Sequence, residues 1–352
     1  MGISGFDKLY SYVCNKYTKT FIDTVEKNKK KYVVVDTSQI LNKYCRGRIK
    51  NNTTVINEFG KDITHIYCIY VLTHTLLSSN IIPIYVFEKK SPVSKRKTIL
   101  QRNKISFNAK RKCSDMEYKN KEYYCHLKKT FRVGSMITTE CKHVLDSIGI
   151  KYIESVGEAD QQCAALSAYY EDKIIGVITD DTDILVFGGN NILKNFSISK
   201  KTYNLVNRTH LFSSMLATAN KIRENVELEK LYTFSHTDFI NFSILMGTDY
   251  TGSDGKNCKI TKLTIDELFS AYAMNSFDVL NTIKYIKYIY GINISSSYLL
   301  RLNEIYDIYT KSVVIDPKSV DLDSDNVKYN SYINIFKNIF KNSKINNNNL
   351  YI

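Results

Sequence analysis

The chain has 352 residues, enough for one large α/β domain with a helical appendage or for two smaller domains. Its eight cysteines form no Cys-x-x-Cys pair and match no histidine spacing, and its start, Met1-Gly2-Ile3-Ser4-Gly5-Phe6, lacks the basic and apolar regions of a secretory signal; a zinc site, a disulfide framework and secretion are all disfavoured. With 49 Lys and Arg against 35 Asp and Glu the formal net charge is +14, which points to a polyanionic partner.

In chain order, Lys31–Asp36 reads as a strand that stops at a carboxylate. Ile63–Leu77 reads as a buried apolar helix; His65, His74 and several hydroxyl residues argue against a membrane span. Pro83–Glu88 is a second strand with an acidic end, which completes a βαβ pattern. Residues 91–132 differ in composition: basic residues from Lys95 and Arg102 to Lys128, Lys129 and Arg132 interleave with Phe107, Tyr118, Tyr123, Tyr124 and Phe131. Such interleaving fits a segment that grips a single-strand backbone and stacks its bases. A solvated helical pair with a basic face is the alternative.

The α/β pattern resumes with a helix from Met136 to Ile148, a strand at Lys151–Glu154, a helix from Gly157 to Tyr170 and the strand Lys173–Thr179. Shorter strands are expected at Asn191–Asn195 and Lys201–Val206, and from His236 the pattern turns helical until Gly247. The Lys/Asn-rich close reads as loosely ordered, and the usage of Lys, Asn, Ile and Tyr fits an AT-rich genome. Together these elements predict an α/β fold with a central, mostly parallel sheet flanked by helices.

Acidic residues mark strand and helix ends along the chain: Asp36, Glu88, Glu158 and Asp160, Asp180, Asp181 and Asp183, and Asp249. Each alone has an ordinary explanation, as a helix cap, a dipole partner or a turn. Their conjunction is harder to explain that way, because the carboxyl ends of parallel strands converge on one crevice. A pocket of so many carboxylates repels itself unless cations neutralise it, which favours Mg²⁺ or Mn²⁺. Asp181-Thr182-Asp183 would place two carboxylates on one side of an extended chain. Asp321-Leu322-Asp323-Ser324-Asp325-Asn326 resembles the opening of a calcium loop, but Tyr332 stands where its bidentate Glu belongs, so a solvated turn is expected.

The ordered set of motifs resembles the flap endonuclease, or XPG-like, family of structure-specific 5′ nucleases. The likeness rests on Met1-Gly2-Ile3 with Gly5-Phe6, Val33-Val34-Val35-Asp36, Pro83 to Glu88, Gly157 to Leu166, Thr179 to Gly188, and Leu245-Met246-Gly247-Thr248-Asp249-Tyr250. It runs over roughly residues 1–265. It implies a PIN-like 5′-nuclease fold with an N-terminal nuclease region over 1–91, a basic helical arch over 92–135, an internal nuclease region over 136–230, a helical hairpin over 231–300 and a C-terminal tail over 301–352.

By the same resemblance the metal ligands are Asp36, Glu88, Glu158, Asp160, Asp181, Asp183 and Asp249, which would hold two Mg²⁺ with Mn²⁺ as a substitute. Asp180 matches a non-ligand position, Lys95 and Arg102 match the arch residues that meet the scissile phosphate, and Gly2 would supply the N-terminus near the junction once Met1 is removed. Glu158 and Asp181, with Lys95 and Arg102, would stand closest to the chemistry.

Two departures stand out: Glu88 replaces the usual Asp, and Thr251 to Lys259 retains only fragments of the Gly-x-Gly hairpin that grips duplex and potassium. No Gln follows Gln162, so the usual sliding-clamp motif is missing. The expected partner is DNA with a 5′ flap or junction, bound by a monomer away from membranes. The nucleus is the expected site of action, that of the host if the source is a large DNA virus. The competing hypotheses are a cleavage-inactive DNA-binding scaffold and an RNA-directed PIN-type nuclease.

Overall fold

Val33, Val34 and Val35 are fully shielded from solvent and lie on an interior strand of a seven-stranded sheet. Their alternation builds both sides of the fold: Val34 joins one apolar cluster with Tyr32, while Val33 and Val35 join a second cluster on the opposite face. A strand buried on both faces is expected of a parallel sheet covered by helices on each side. The computed structural model describes residues 2–14, 17–21, 31–89, 96–116, 119–251, 263–292, 294, 296–322, 327–328, 331–345 and 348–349.

The chain opens with helix α1 (Phe6–Cys14), strand β1 (Thr18–Phe21), β2 (Lys31–Asp36), α2 (Thr37–Lys50), the short β3 (Val55–Ile56), α3 (Thr64–Leu77) and β4 (Ile81–Glu88). The basic segment forms α4 (Arg96–Ser114) and α5 (Lys121–Leu127). Then follow α6 (Ser135–Ile148), β5 (Tyr152–Ser155), α7 (Ala159–Tyr169), β6 (Ile174–Ile178), α8 (Asp183–Val186), β7 (Asn191–Ser197), β8 (Thr202–Asn207), α9 (Arg208–Glu224) and α10 (His236–Met246). Helices Ile265–Met274, Val279–Tyr290, Ser296–Thr310 and Tyr332–Ile339 complete the helical part.

The sheet order is β1-β8-β7-β6-β2-β4-β5, with β7, β6, β2, β4 and β5 parallel, β8 antiparallel to β7, and β1 antiparallel to β8 at the edge. The chain runs outward from β2 to β4 and β5, then returns to β6 on the other side of β2. That reversal makes the β2/β6 boundary the topological switch point, where ligands of open α/β sheets bind beyond the strand carboxyl ends.

The expected strands and helices occur within a few residues of their predicted bounds, and the predicted mostly parallel sheet is present. The expectation lacked α1, β1, α2, β3, α8 and α9. Helix α2 carries few apolar residues, so it has little hydrophobic period, yet Asp36 caps it by accepting from the Gln39 N–H at 3.1 Å.

The C-terminal segment departs from the loosely ordered expectation over residues 331–345. Phe336 is fully buried and packs 4.6 Å from Tyr70, and Lys344–Ile345 pairs antiparallel with β3. Upstream of it, Gln162 and Ile315 exchange hydrogen bonds, and the Tyr170 hydroxyl donates to the Val320 carbonyl at 2.7 Å. Apolar Ile, Phe and Tyr residues among the Lys and Asn supply the contacts that the overall composition conceals. Among the described residues no helix is long and apolar enough to cross a membrane.

Candidate active site

The strand ends deliver carboxylates to one place. Asp36 closes β2, Glu88 closes β4, Asp160 lies in the first turn of α7, Asp181 follows β6 and Asp249 follows α10. These five line a single cleft of about 390 Å³. Burial, with the neighbouring Asp160 and Asp181, pushes the Asp36 carboxyl well above the ordinary carboxylate range, although the Gln39 N–H and the Thr179 hydroxyl donate to it.

The other two predicted ligands lie behind the wall of the cleft. Glu158, 3% exposed, is the N-cap of α7, but its side chain caps no backbone N–H; Oε2 instead accepts from the Tyr250 hydroxyl at 2.7 Å. Asp183 is fully buried as the first residue of α8, and its N–H donates to Asp181 Oδ1 at 3.2 Å. The Asp181-Thr182-Asp183 segment is therefore a turn into a helix rather than an extended chain, and its two carboxylates diverge into cleft and interior. Tyr250 is itself buried, and burial with the adjacent Glu158 pushes its hydroxyl far up, so it remains a donor.

Asp180 is held elsewhere: it pairs with Lys43 at 2.9 Å and accepts from the Asn195 N–H at 2.7 Å. Burial opposes its ionisation, but Lys43 outweighs this and holds the carboxyl below its ordinary value. Gly2 packs against Asp181 with a left-handed φ of 83°, and a Cβ there would come within 2.4 Å of Asp181 Oδ1. The next residue ties the start of the chain to the same loop, since the Ile3 N–H donates to Thr182 Oγ1 at 2.9 Å.

A basic groove of about 530 Å³ adjoins the acidic cleft, sharing Gln39, Asn42, Arg102 and Arg132 with it. Lys43, Arg46 and Lys50 reach it from one face of α2, at helical spacing, and Lys128, Lys129 and Arg132 reach it from beyond α5. Arg46 is pulled below its ordinary value by burial and by the neighbouring Arg132 and Arg102. Arg102 bridges the two sites: Asp249 lies 3.5 Å away, while the Arg132 guanidinium donates to its carbonyl at 2.7 Å. Helix α4 leaves Phe107 67% exposed. Lys95 and the Thr251–Lys259 segment after Thr251 lie outside the described residues, as does the Asp323–Asn326 part of the calcium-like loop.

The α2 cations and Tyr250 were not singled out from sequence. The 43-46-50 spacing was a usable signal for the former once α2 is recognised; Tyr250 carried none beyond its place after Asp249.

The donors facing the cleft are oxygen atoms that repel one another, which is the chemistry a hard divalent cation neutralises. Among the described residues, however, no three His, Cys, Asp or Glu side chains come close enough together to share one ion. The cleft fits the metal by donor type and charge, and not by a preassembled set of three donors among the described residues.

Comparison with known proteins agrees with this arrangement. The XPG N-terminal domain family matches residues 1–109 and the XPG I-region family matches residues 149–249, together more than half of the chain. The chain is 24% identical over 332 residues to flap endonuclease 1 of Macaca fascicularis, covering 92% of this chain and 78% of that protein. It is 28% identical over 253 residues to flap endonuclease 1 of Entamoeba histolytica, covering 71% of this chain and 62% of that protein.

Among solved structures it is similar to the catalytic core of Rad2 in complex with a DNA substrate, with TM-score 0.56 and 20% identity over 90% of this chain and 88% of that one. It is also similar to flap endonuclease-1 from Methanococcus jannaschii, with TM-score 0.53 and 17% identity over 92% and 90% of the two chains. At these identities the structural likeness establishes the fold.

Proposed function

The chain belongs to the XPG-like family of flap endonucleases, and from that premise we propose that it hydrolyses phosphodiester bonds of DNA at 5′ flaps or branched junctions, in replication, repair or recombination. The observation that carries this reading is the acidic cleft at the topological switch point, lined by five carboxylates and joined to a basic groove. Acid inside and base outside is the arrangement a polyanion needs when its backbone is gripped and one phosphate is brought to cations.

Asp36, Glu88, Asp160, Asp181 and Asp249 would hold the divalent ions, with Glu158 and Asp183 supporting them from behind. Two Mg²⁺, when bound, supply a Lewis-acid clamp on the attacking and leaving oxygens. The chain's own part is to position and neutralise. Arg102, now beside Asp249, is the arch cation within reach of an incoming phosphate, and Lys95 is assigned the same role by the family resemblance. The α2 and post-α5 cations lead the single strand along the groove, and exposed Phe107 offers a stacking surface. Action in the nucleus belongs to the same proposal.

The test is cleavage of a labelled 5′-flap duplex with Mg²⁺ or chelator, comparing the natural chain with Asp181→Ala. We expect metal-dependent cutting near the junction that falls more than about 100-fold in the variant, because direct ligands matter at least as much as the groups that orient them, while flap binding persists. Tight flap binding without cutting in either Mg²⁺ or Mn²⁺ would replace this reading with a DNA-binding scaffold, and preferential cutting of RNA would replace it with an RNA nuclease.

A further inference from the structure

Asp249 and Tyr250 are adjacent in sequence but serve opposite sides of the acidic wall. Asp249 faces the cleft, whereas Tyr250 turns inward and donates its hydroxyl to Glu158 Oε2 at 2.7 Å. Glu158 is the N-cap of α7 and its side chain makes no cap hydrogen bond to the helix.

Tyr250 is in turn held from the C-terminal part of the chain. Its N–H donates to Thr248 Oγ1 at 3.3 Å, its carbonyl accepts from the Arg301 guanidinium at 3.3 Å, and its ring meets that of Tyr309 edge-on at 5.3 Å. Tyr309 also packs 4.8 Å from Phe187, which closes the short helix begun by Asp183. Arg301 and Tyr309 both belong to the Ser296–Thr310 helix, beyond the residues that the XPG families match.

We propose that Tyr250 is a positioning residue that orients Glu158 for the divalent-metal site, and that Arg301 and Tyr309 of the Ser296–Thr310 helix hold Tyr250 in place to do so. The assignment rests on the cleft being a metal-dependent nuclease site. Glu158 stands behind the cleft wall rather than in it, so Tyr250 would act through a carboxylate that backs the ligands, and groups that orient metal ligands change metal affinity or activity about 10- to 100-fold when removed.

The experiment uses the full chain and the variant Tyr250→Phe, which removes only the hydroxyl. Mn²⁺ binding is measured without DNA by electron paramagnetic resonance, and flap cleavage is followed over a range of Mg²⁺ and substrate concentrations. The expected result is Mn²⁺ affinity lowered about 10-fold, kcat lowered with KM for the flap unchanged, and partial rescue by raised Mg²⁺. In a Glu158→Gln background the same substitution should add no further loss of Mn²⁺ affinity. Should Tyr250→Phe fail to fold, Arg301→Ala serves, with a smaller loss of Mn²⁺ affinity and of kcat in the same direction expected.

A variant with a lowered melting temperature but unchanged Mn²⁺ affinity, kcat and metal dependence would overturn the positioning role, since a merely structural contact moves only the first. A natural chain that neither binds Mn²⁺ nor cuts would overturn the reading of the cleft and this assignment with it. If the natural chain does both and the variant matches it, only the assignment falls.

Discussion

Asp36 carries two duties on one side chain. Oδ1 accepts the Gln39 N–H and so starts α2, while Oδ2 accepts the Thr179 hydroxyl across the β2/β6 switch point, and the residue still lines the acidic cleft. Sequence alone left capping and metal binding as rival explanations; the structure shows the first and sets the residue in the acidic cleft. Buried histidines give a prediction at the same scale. Burial lowers the affinity of His65 for its proton more than Glu140, 2.8 Å away, restores it, and burial together with the nearby Arg208 does the same to His236. Both folded-state values lie below the ordinary histidine value, so the unfolded chain takes up protons first as pH falls. The stability they contribute is present above about pH 6.5 and is lost as pH falls through the lowered values. The urea midpoint of the natural chain should therefore fall more, or rise less, between pH 7.5 and 5.5 than that of His236→Phe.

At the scale of elements, the basic arch and the C-terminal segment show how composition can inform or mislead. Residues 96–114 and 121–127 are helical, as both the arch implied by the resemblance and the alternative of a helical pair required, and Arg132 ties α4 back to the body through the Arg102 carbonyl. The helix Tyr332–Ile339 was hidden by its Lys and Asn neighbours, although Tyr332, Phe336 and Phe340 share one face and join the apolar cluster over α3 and α6. Phe336→Ala should cost about 3–5 kcal/mol, as for other buried phenylalanines, measured by urea unfolding of the full chain. An unchanged midpoint would mean that this helix does not belong to the cooperative fold.

Across the whole molecule, a net charge of +14 coexists with an acidic cleft because the cations are gathered on α2 and around the arch while the carboxylates sit at strand ends. Flap binding should then weaken steeply with salt: if about six phosphates are contacted, affinity falls about 1,000-fold between about 50 and 200 mM salt. Filter binding in Ca²⁺ would measure the slope, and a shallow slope would remove the basic groove from the DNA path.

The sequence by itself determined the parallel α/β sheet and the acidic strand ends, because apolar period and the residue at which each run stops are local properties. Only tertiary structure decided which carboxylates share the cleft. Asp181 and Asp183 are two residues apart, yet one faces the cleft and the other is sealed behind it, because Thr182 turns the chain into α8. Tyr250 was silent in the sequence for the same reason: its partner Glu158 lies 92 positions away and its support from Arg301 another 51 beyond. Contacts that distant arise from packing, which no local pattern encodes.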